Sequence, residues 1–214
     1  MTPRALCLLL LSALTPCNAS RAESLLIPNL TVPGTADISS GPTFVVSGNF
    51  GPNDLVSAYG AGTVDLASGH FTANAAGVIV SPATTNSGNH PGQIYTPIPT
   101  GFPFGAVMIG NTALGFHPLF SANASTGLGS STPPTDISVL NDRLGDLFGP
   151  TFTGLSNGTV LRLYIYDFPG EYGDNSGTIR INSGVAPEPR SIVLIAVGMT
   201  LLGGWITSGR GRAG

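Results

Sequence analysis

The sequence predicts an all-β fold, an antiparallel β-sandwich of jelly-roll-like form, and three observations predict it. Short apolar runs alternate with polar residues at the two-residue period of a half-buried strand, as where Leu161, Leu163 and Ile165 interleave with Arg162, Tyr164 and Tyr166. Turn signals such as Gly-Pro-Asn-Asp at residues 51–54 and Ala-Ser-Gly at residues 67–69 fall every eight to twelve residues or so. Gly 30 and Pro 18 occur beside 42% apolar residues, so the chain is rich in turn residues yet too apolar and too periodic to be disordered.

Taken in order, the candidate strands are residues 43–47, 55–59, 63–66, 70–74, 77–80, 105–109, 119–121, 160–166 and 178–182. One segment departs from the pattern. Asp136 is placed to cap a short inserted helix in which Ile137, Leu140, Leu144, Leu147 and Phe148 form an apolar stripe closed by Gly149. Before it, residues 122–134 are a Ser, Thr, Gly and Pro stretch that reads as a surface loop.

The 214 residues carry a formal net charge of -3 and only 9% charged side chains. There is no lysine and the eight arginines are scattered, which excludes the basic footprint of a nucleic-acid binder. Both ends read as targeting segments. Arg4, the apolar block 5–14 and the small residues up to Ala22 form a signal peptide over residues 1–22; an alternative reading of Leu14-Thr15-Pro16-Cys17 is a lipoprotein box. Cys7 and Cys17 both fall in this segment, so its removal leaves a mature chain without thiols. At the other end, residues 191–209 are an uncharged run long enough for a transmembrane helix, followed by Arg210 and Arg212. Pro187-Glu188-Pro189 stands just before it. This three-part tail over residues 186–214 resembles the PEP-CTERM sorting signal. The resemblance implies an exported protein processed by an exosortase-type protease and held at the membrane by the C-terminal helix, permanently or until cleavage; a plain C-terminal anchor is the alternative. Residues 23–185 are left as the β domain, expected at the cell surface or in an extracellular matrix.

Chemistry concentrates in the stretch at residues 167–177, Asp-Phe-Pro-Gly-Glu-Tyr-Gly-Asp-Asn-Ser-Gly, read as a long hairpin loop between the last two strands. Asp167, Asp174 and Asn175 place side-chain oxygens in a small volume, and with a carbonyl such as that of Glu171 they offer the hard oxygen donors that calcium prefers. Earlier, His90-Pro91-Gly92-Gln93 sets an imidazole and a carboxamide three residues apart on a polar loop. The element His-Pro-Gly-Gln, the strand Gly-Ala-Val-Met-Ile-Gly-Asn at residues 105–111 and the loop at residues 167–177 occur in the same order as in the calcium-dependent, galactose-binding bacterial lectins of the PA-I type, which they resemble over roughly residues 62–182. The resemblance implies a lectin-type sandwich. In it Asp167, Asp174 and Asn175 are side-chain calcium ligands, Glu171 and Leu66 give carbonyls, and His90, Gln93 and Asp167 bind a galactose-like sugar or exopolysaccharide. Leu66 stands where the family has Tyr, and Asp174 where it has Asn. A structural matrix protein whose calcium only stabilises the fold is the alternative.

Enzyme readings are weaker. Gly154-Leu155-Ser156-Asn157-Gly158 matches the nucleophile-elbow pattern in letters, but a strand follows it where that motif needs a helix. Asp167 and Asp174 lack an apolar pocket that would raise one of them into a general acid. His70, His90 and His117 lack the spacing of a zinc site. The expectation is binding without turnover.

Overall fold

A computed structural model describes residues 22–66, 71–82, 90–95 and 101–183. All of the expected signal peptide but Ala22, the apolar run at residues 191–209 and the expected sorting residues Pro187, Glu188, Pro189, Arg210 and Arg212 lie outside the described residues. No helix among the described residues is long and apolar enough to cross a membrane.

Among the described residues, eleven strands form two sheets. In the first, β2 (Leu30–Pro33), β11 (Ser176–Asn182), β4 (Leu55–Leu66), β5 (Phe71–Ala73) and β6 (Ile79–Pro82) lie side by side, while β1 (Ser24–Leu25) and β9 (Ile137–Arg143) flank the first half of β4. The second sheet runs β3 (Thr43–Val45), β10 (Val160–Ile165), β7 (Val107–Asn111), β8 (Gly115–Pro118). Every pairing is antiparallel except β1 with β4. Alternation aims Leu161, Leu163 and Ile165 of β10 and Ile179 and Ile181 of β11 into one buried cluster that also takes Val64 and Leu66 of β4. Two sheets sharing one core is the arrangement of a β-sandwich. Tyr164, pointing the other way, is buried with Ala106 and Met108 in a small second cluster on the far face of the second sheet.

Several elements differ from the sequence expectation. Residues 55–59 and 63–66 are a single strand, because Gly60 and Gly62 continue it instead of turning. A side chain on Gly60 would meet the Ala75 methyl at 2.9 Å, and one on Gly62 would meet the Thr178 carbonyl oxygen at 2.5 Å. Most of the expected inserted helix is β9: Ile137 pairs with Gly60 and Val139 with Ala58, and only Leu144–Phe148 is helical, here α1. The edge of β4 recruits these residues by ladder hydrogen bonds, Asn141 takes a left-handed φ of 54° that a helix excludes, and Asp136 accepts the Tyr59 hydroxyl instead of capping. Residues 119–121 are not a strand; β8 lies just before them.

The stretch at residues 122–134 is anchored. Asn123 caps a 3-10 turn (Ala124–Thr126) in a capping box, and the fully buried Asn74 amide donates to the carbonyls of Thr126 at 3.0 Å and Pro134 at 2.9 Å.

The most consequential difference concerns the loop after β10. It is an arch, not a hairpin. β10 pairs with β3 and β7 in the second sheet, whereas β11 pairs with β2 and β4 in the first. The chain therefore crosses the rim of the sandwich between Ile165 and Ser176.

Candidate functional site

The arch begins where Tyr166 donates its N–H to the Ala106 carbonyl and accepts from Gly105, both at 2.9 Å, which fixes the chain to the second sheet. Asp167 follows and turns inward; it is only 7% exposed. Its Oδ1 accepts the N–H of Phe168 at 2.7 Å and its Oδ2 accepts the amide of Asn175 at 2.7 Å. Asn175, 5% exposed, also donates that amide nitrogen to the Gly34 carbonyl at 3.3 Å. Between them, the Glu171 N–H bonds the Phe168 carbonyl at 3.0 Å, and the Tyr172 hydroxyl donates to the Asp167 carbonyl at 3.2 Å across a 3-10 turn (Tyr172–Asp174). Glu171 and Asp174 are exposed at the arch's surface, with the Asp174 N–H reaching the Glu171 carbonyl at 3.5 Å.

The arch thus gathers Asp167, Glu171, Asp174 and Asn175. Leu66 is close by: β4 and β11 pair Asp65 with Ser176, so Leu66, one residue on, ends its strand beside the Asn175 end of the arch. Its side chain is buried and faces inward, leaving only its backbone as a donor to an ion.

The donor set suits a hard divalent cation. Asp167 uses two of its carboxylate's four or so lone pairs on the hydrogen bonds above, so both oxygens keep acceptor capacity. Neither partner of that carboxylate carries a positive charge, and residues 167–177 hold three acids and no base. The Asn175 nitrogen donates to two acceptors, the Asp167 carboxylate and the Gly34 carbonyl. Every buried side-chain N or O among the described residues has a hydrogen-bond partner, so protein groups alone hold the frame. No three His, Cys, Asp or Glu side chains among the described residues are grouped so as to hold a metal ion, so the three acids of the arch do not converge into a ready-made cluster.

His90 and Gln93 occupy a different turn. The Gln93 N–H bonds the His90 carbonyl at 3.2 Å and the Gln93 side-chain oxygen accepts the His90 N–H at 3.3 Å, so the carboxamide folds back on its own turn. Both residues are exposed. The turn is hung on β6 by two 2.8 Å bonds with Ile79 and on Gly129 by a 2.7 Å bond. Antiparallel pairing through Val78 and Ile94 runs His90 toward the Pro82 end of β6. The ladder from Pro82 through Phe71 and Leu66 leads to the Ser176 end of the arch. The two turns therefore share one end of the first sheet. Among the described residues, no hydrogen bond joins His90 or Gln93 to the arch.

Sequence reasoning missed Gly34, Tyr172 and Asp37. Gly34 offers no sequence signal; its role follows from close approach, since a methyl there would sit far inside contact distance of the Ser176 carbonyl. Burial raises the Tyr172 phenol above its usual range, and the negative charges of Asp167 and Asp37 reinforce the shift. Asp37 is itself held low by the hydroxyls of Ser40 and Ser39 and by their N–H groups, so it stays ionised and adds negative charge near the arch.

Two cavities of about 300 Å³ lie elsewhere, one lined by Phe102, Leu119, Asp142 and Asp146 and the other by Ser121, Asn123 and Ser138. Neither touches the arch. The arch is the candidate site because it ties a buried carboxylate to a buried amide, an arrangement neither cavity lining shows.

No protein-family model matches the sequence, and no curated protein matches it. Among solved structures, a PllA-like lectin, the N-terminal domain of EclA, superposes with a TM-score of 0.32 at 10% identity, over 73% of this chain and 94% of that one. At that score the likeness carries no weight for the site.

Proposed function

We propose that the arch binds calcium, and that calcium and the neighbouring turn together bind a galactose-like sugar without turning it over. The observation that carries this reading is the buried Asp167 carboxylate locked to Asn175 at 2.7 Å, with Asp174 and Glu171 on the same arch. A carboxylate removed from water without a positive partner is costly, and a divalent cation at the arch surface offsets that cost. Calcium would supply coordination positions for vicinal sugar hydroxyls; Asp167 would orient it, and His90 and Gln93 would offer hydrogen bonds to the sugar after Gln93 releases its own turn. The signal peptide and the PEP-CTERM-like tail would deliver the domain to the cell envelope or matrix, where many copies on a surface compensate for modest single-site affinity.

The bond from His90 to the Gln93 side chain favours a second reading, in which calcium binds the arch only to stabilise the fold. Calorimetric titration of galactose into the purified chain, with calcium and then with chelator, separates them. Heat in calcium alone is the expected result. Calcium binding with no galactose heat, at protein concentrations that detect millimolar affinity, would leave the structural reading.

A further inference from the structure

Nine large apolar side chains are exposed among the described residues, and the two aromatic ones, Tyr95 at 46% and Phe168 at 42%, flank the same ring. That ring is Phe104, itself only 4% exposed. Tyr95 stacks on it with centroids 5.2 Å apart and planes at 17°, while Phe168 meets it edge-to-face at 4.6 Å and 65°. Tyr166 backs Phe104 at 5.8 Å and Phe71 backs Tyr95 at 6.2 Å. The result is an aromatic row whose middle is core and whose two outer rings each keep close to half their surface in water.

The row's position matters as much as its exposure. Phe168 directly follows Asp167, and its N–H is bonded to the Asp167 carboxylate, so the backbone carrying this ring is fixed to the proposed ion ligand. Tyr95 stands two residues after Gln93, on the strand-like segment that pairs Ile94 with Val78. The rings therefore span the ground between the arch and the His90 turn. Ordinary packing would explain Phe104, but it gives no reason for two large rings to stay half in water beside an oxygen cluster, where burial would stabilise the fold.

We infer that Phe168, backed by Phe104 and continued by Tyr95, is an apolar platform on which the pyranose ring of the bound sugar lies. This rests on the sugar-binding reading above. A pyranose has polar edges and faces of polarised C–H bonds, and the electron-rich face of an aromatic ring attracts those hydrogens. Hydroxyls at one edge reach the ion while the C–H face covers Phe168. A galacto-configured ring gathers its hydrogens at C3, C4 and C5 on one face, which suits such a platform. Leu66 leaves the β4 end of the site without an aromatic ring, and Phe168 places one on the arch instead.

The test is titration of methyl β-galactoside into the calcium-loaded, purified full-length chain, for the wild type, Phe168→Leu and Phe168→Tyr, with calcium affinity measured in parallel. Phe168→Leu keeps an apolar contact to Phe104 and removes the ring face. The expected result is a loss of galactoside affinity of about three- to tenfold with calcium affinity unchanged, and near wild-type affinity in Phe168→Tyr. Proton spectra of the galactoside with the wild type give a readout independent of any variant: H3, H4 and H5 should move upfield under the ring current. Wild-type affinity in Phe168→Leu, or a wild-type spectrum without those upfield shifts, overturns the platform while leaving sugar binding intact. A wild type that binds calcium but no galactoside overturns the sugar-binding reading and the platform with it.

Discussion

The arch between β10 and β11 and the turn at His90 end at the same rim of the sandwich, yet they are held in different ways. The arch is tied inward. Asn175 reaches Gly34 across 141 residues of sequence and Asp167 across eight, and both side chains are buried. The turn is tied to itself, with Gln93 bonded back to His90 over three residues and both side chains in water. A site whose donors are fixed before the ligand arrives gives up little freedom on binding; one whose donors must first let go of each other gives up more. The contrast separates the two regions: the side chains of the arch are already fixed by the fold, and those of the turn must release each other before they can meet a ligand.

Breaking the arch should have the largest effect. Asn175→Ala removes the donor to both the buried Asp167 carboxylate and the Gly34 carbonyl, and is expected to lower stability by about 2–4 kcal/mol, read from the denaturant midpoint. A stability change under 0.5 kcal/mol would mean that the arch is not tied as described. Breaking the turn should matter less to the fold. Gly92 has a φ of 82° and its added methyl would run into the Ser130 backbone, so Gly92→Ala should cost about 1–3 kcal/mol. It should weaken galactose binding and leave calcium affinity untouched. Loss of calcium affinity in that variant would show that the two regions are one unit.

Side-chain removal on the turn sharpens the comparison further. His90→Ala and Gln93→Ala should each change stability by no more than about 0.5 kcal/mol, being exposed, while reducing sugar affinity in calorimetry. The smallest effect at neutral pH belongs to Tyr164, whose phenol burial pushes up to about 12. The sign follows from linkage. The unfolded phenol ionises near pH 10 and the folded one near 12, so the stabilisation is complete below pH 10 and is lost as pH rises through 12. Tyr164→Phe should flatten that alkaline decline in urea midpoints measured from pH 9 to 12; an unchanged decline would place its cause elsewhere.

The strands with clean alternation were legible in the sequence, β10 and β11 above all, because their inward residues meet nothing but the core. What was not legible depended on partners distant in sequence. Gly60 and Gly62 look like a turn, yet they let β4 pass close to Ala75 and Thr178. The stripe from Ile137 to Phe148 fits a helix in isolation, and pairing with β4 turns its first half into a strand. The polar residues of the arch stand together along the chain, whereas its sheet-to-sheet path and its tie to Gly34 could not be read from their order. Phe168 and Tyr95 were passed over because nothing in their local sequence says that they share Phe104.

Thermal unfolding with and without calcium, on the wild type and on Asp167→Asn, tests the ion-binding arch most directly. The substitution keeps the shape of the side chain and an oxygen for the Asn175 amide while removing the charge. At calcium about 100-fold above its Kd, the wild type should gain about 2.7 kcal/mol, a rise in Tm of roughly 5–10 °C for a chain of this size. Asp167→Asn should show little or none of that rise. An equal rise in both proteins, or no rise in either, would contradict an ion site built on Asp167.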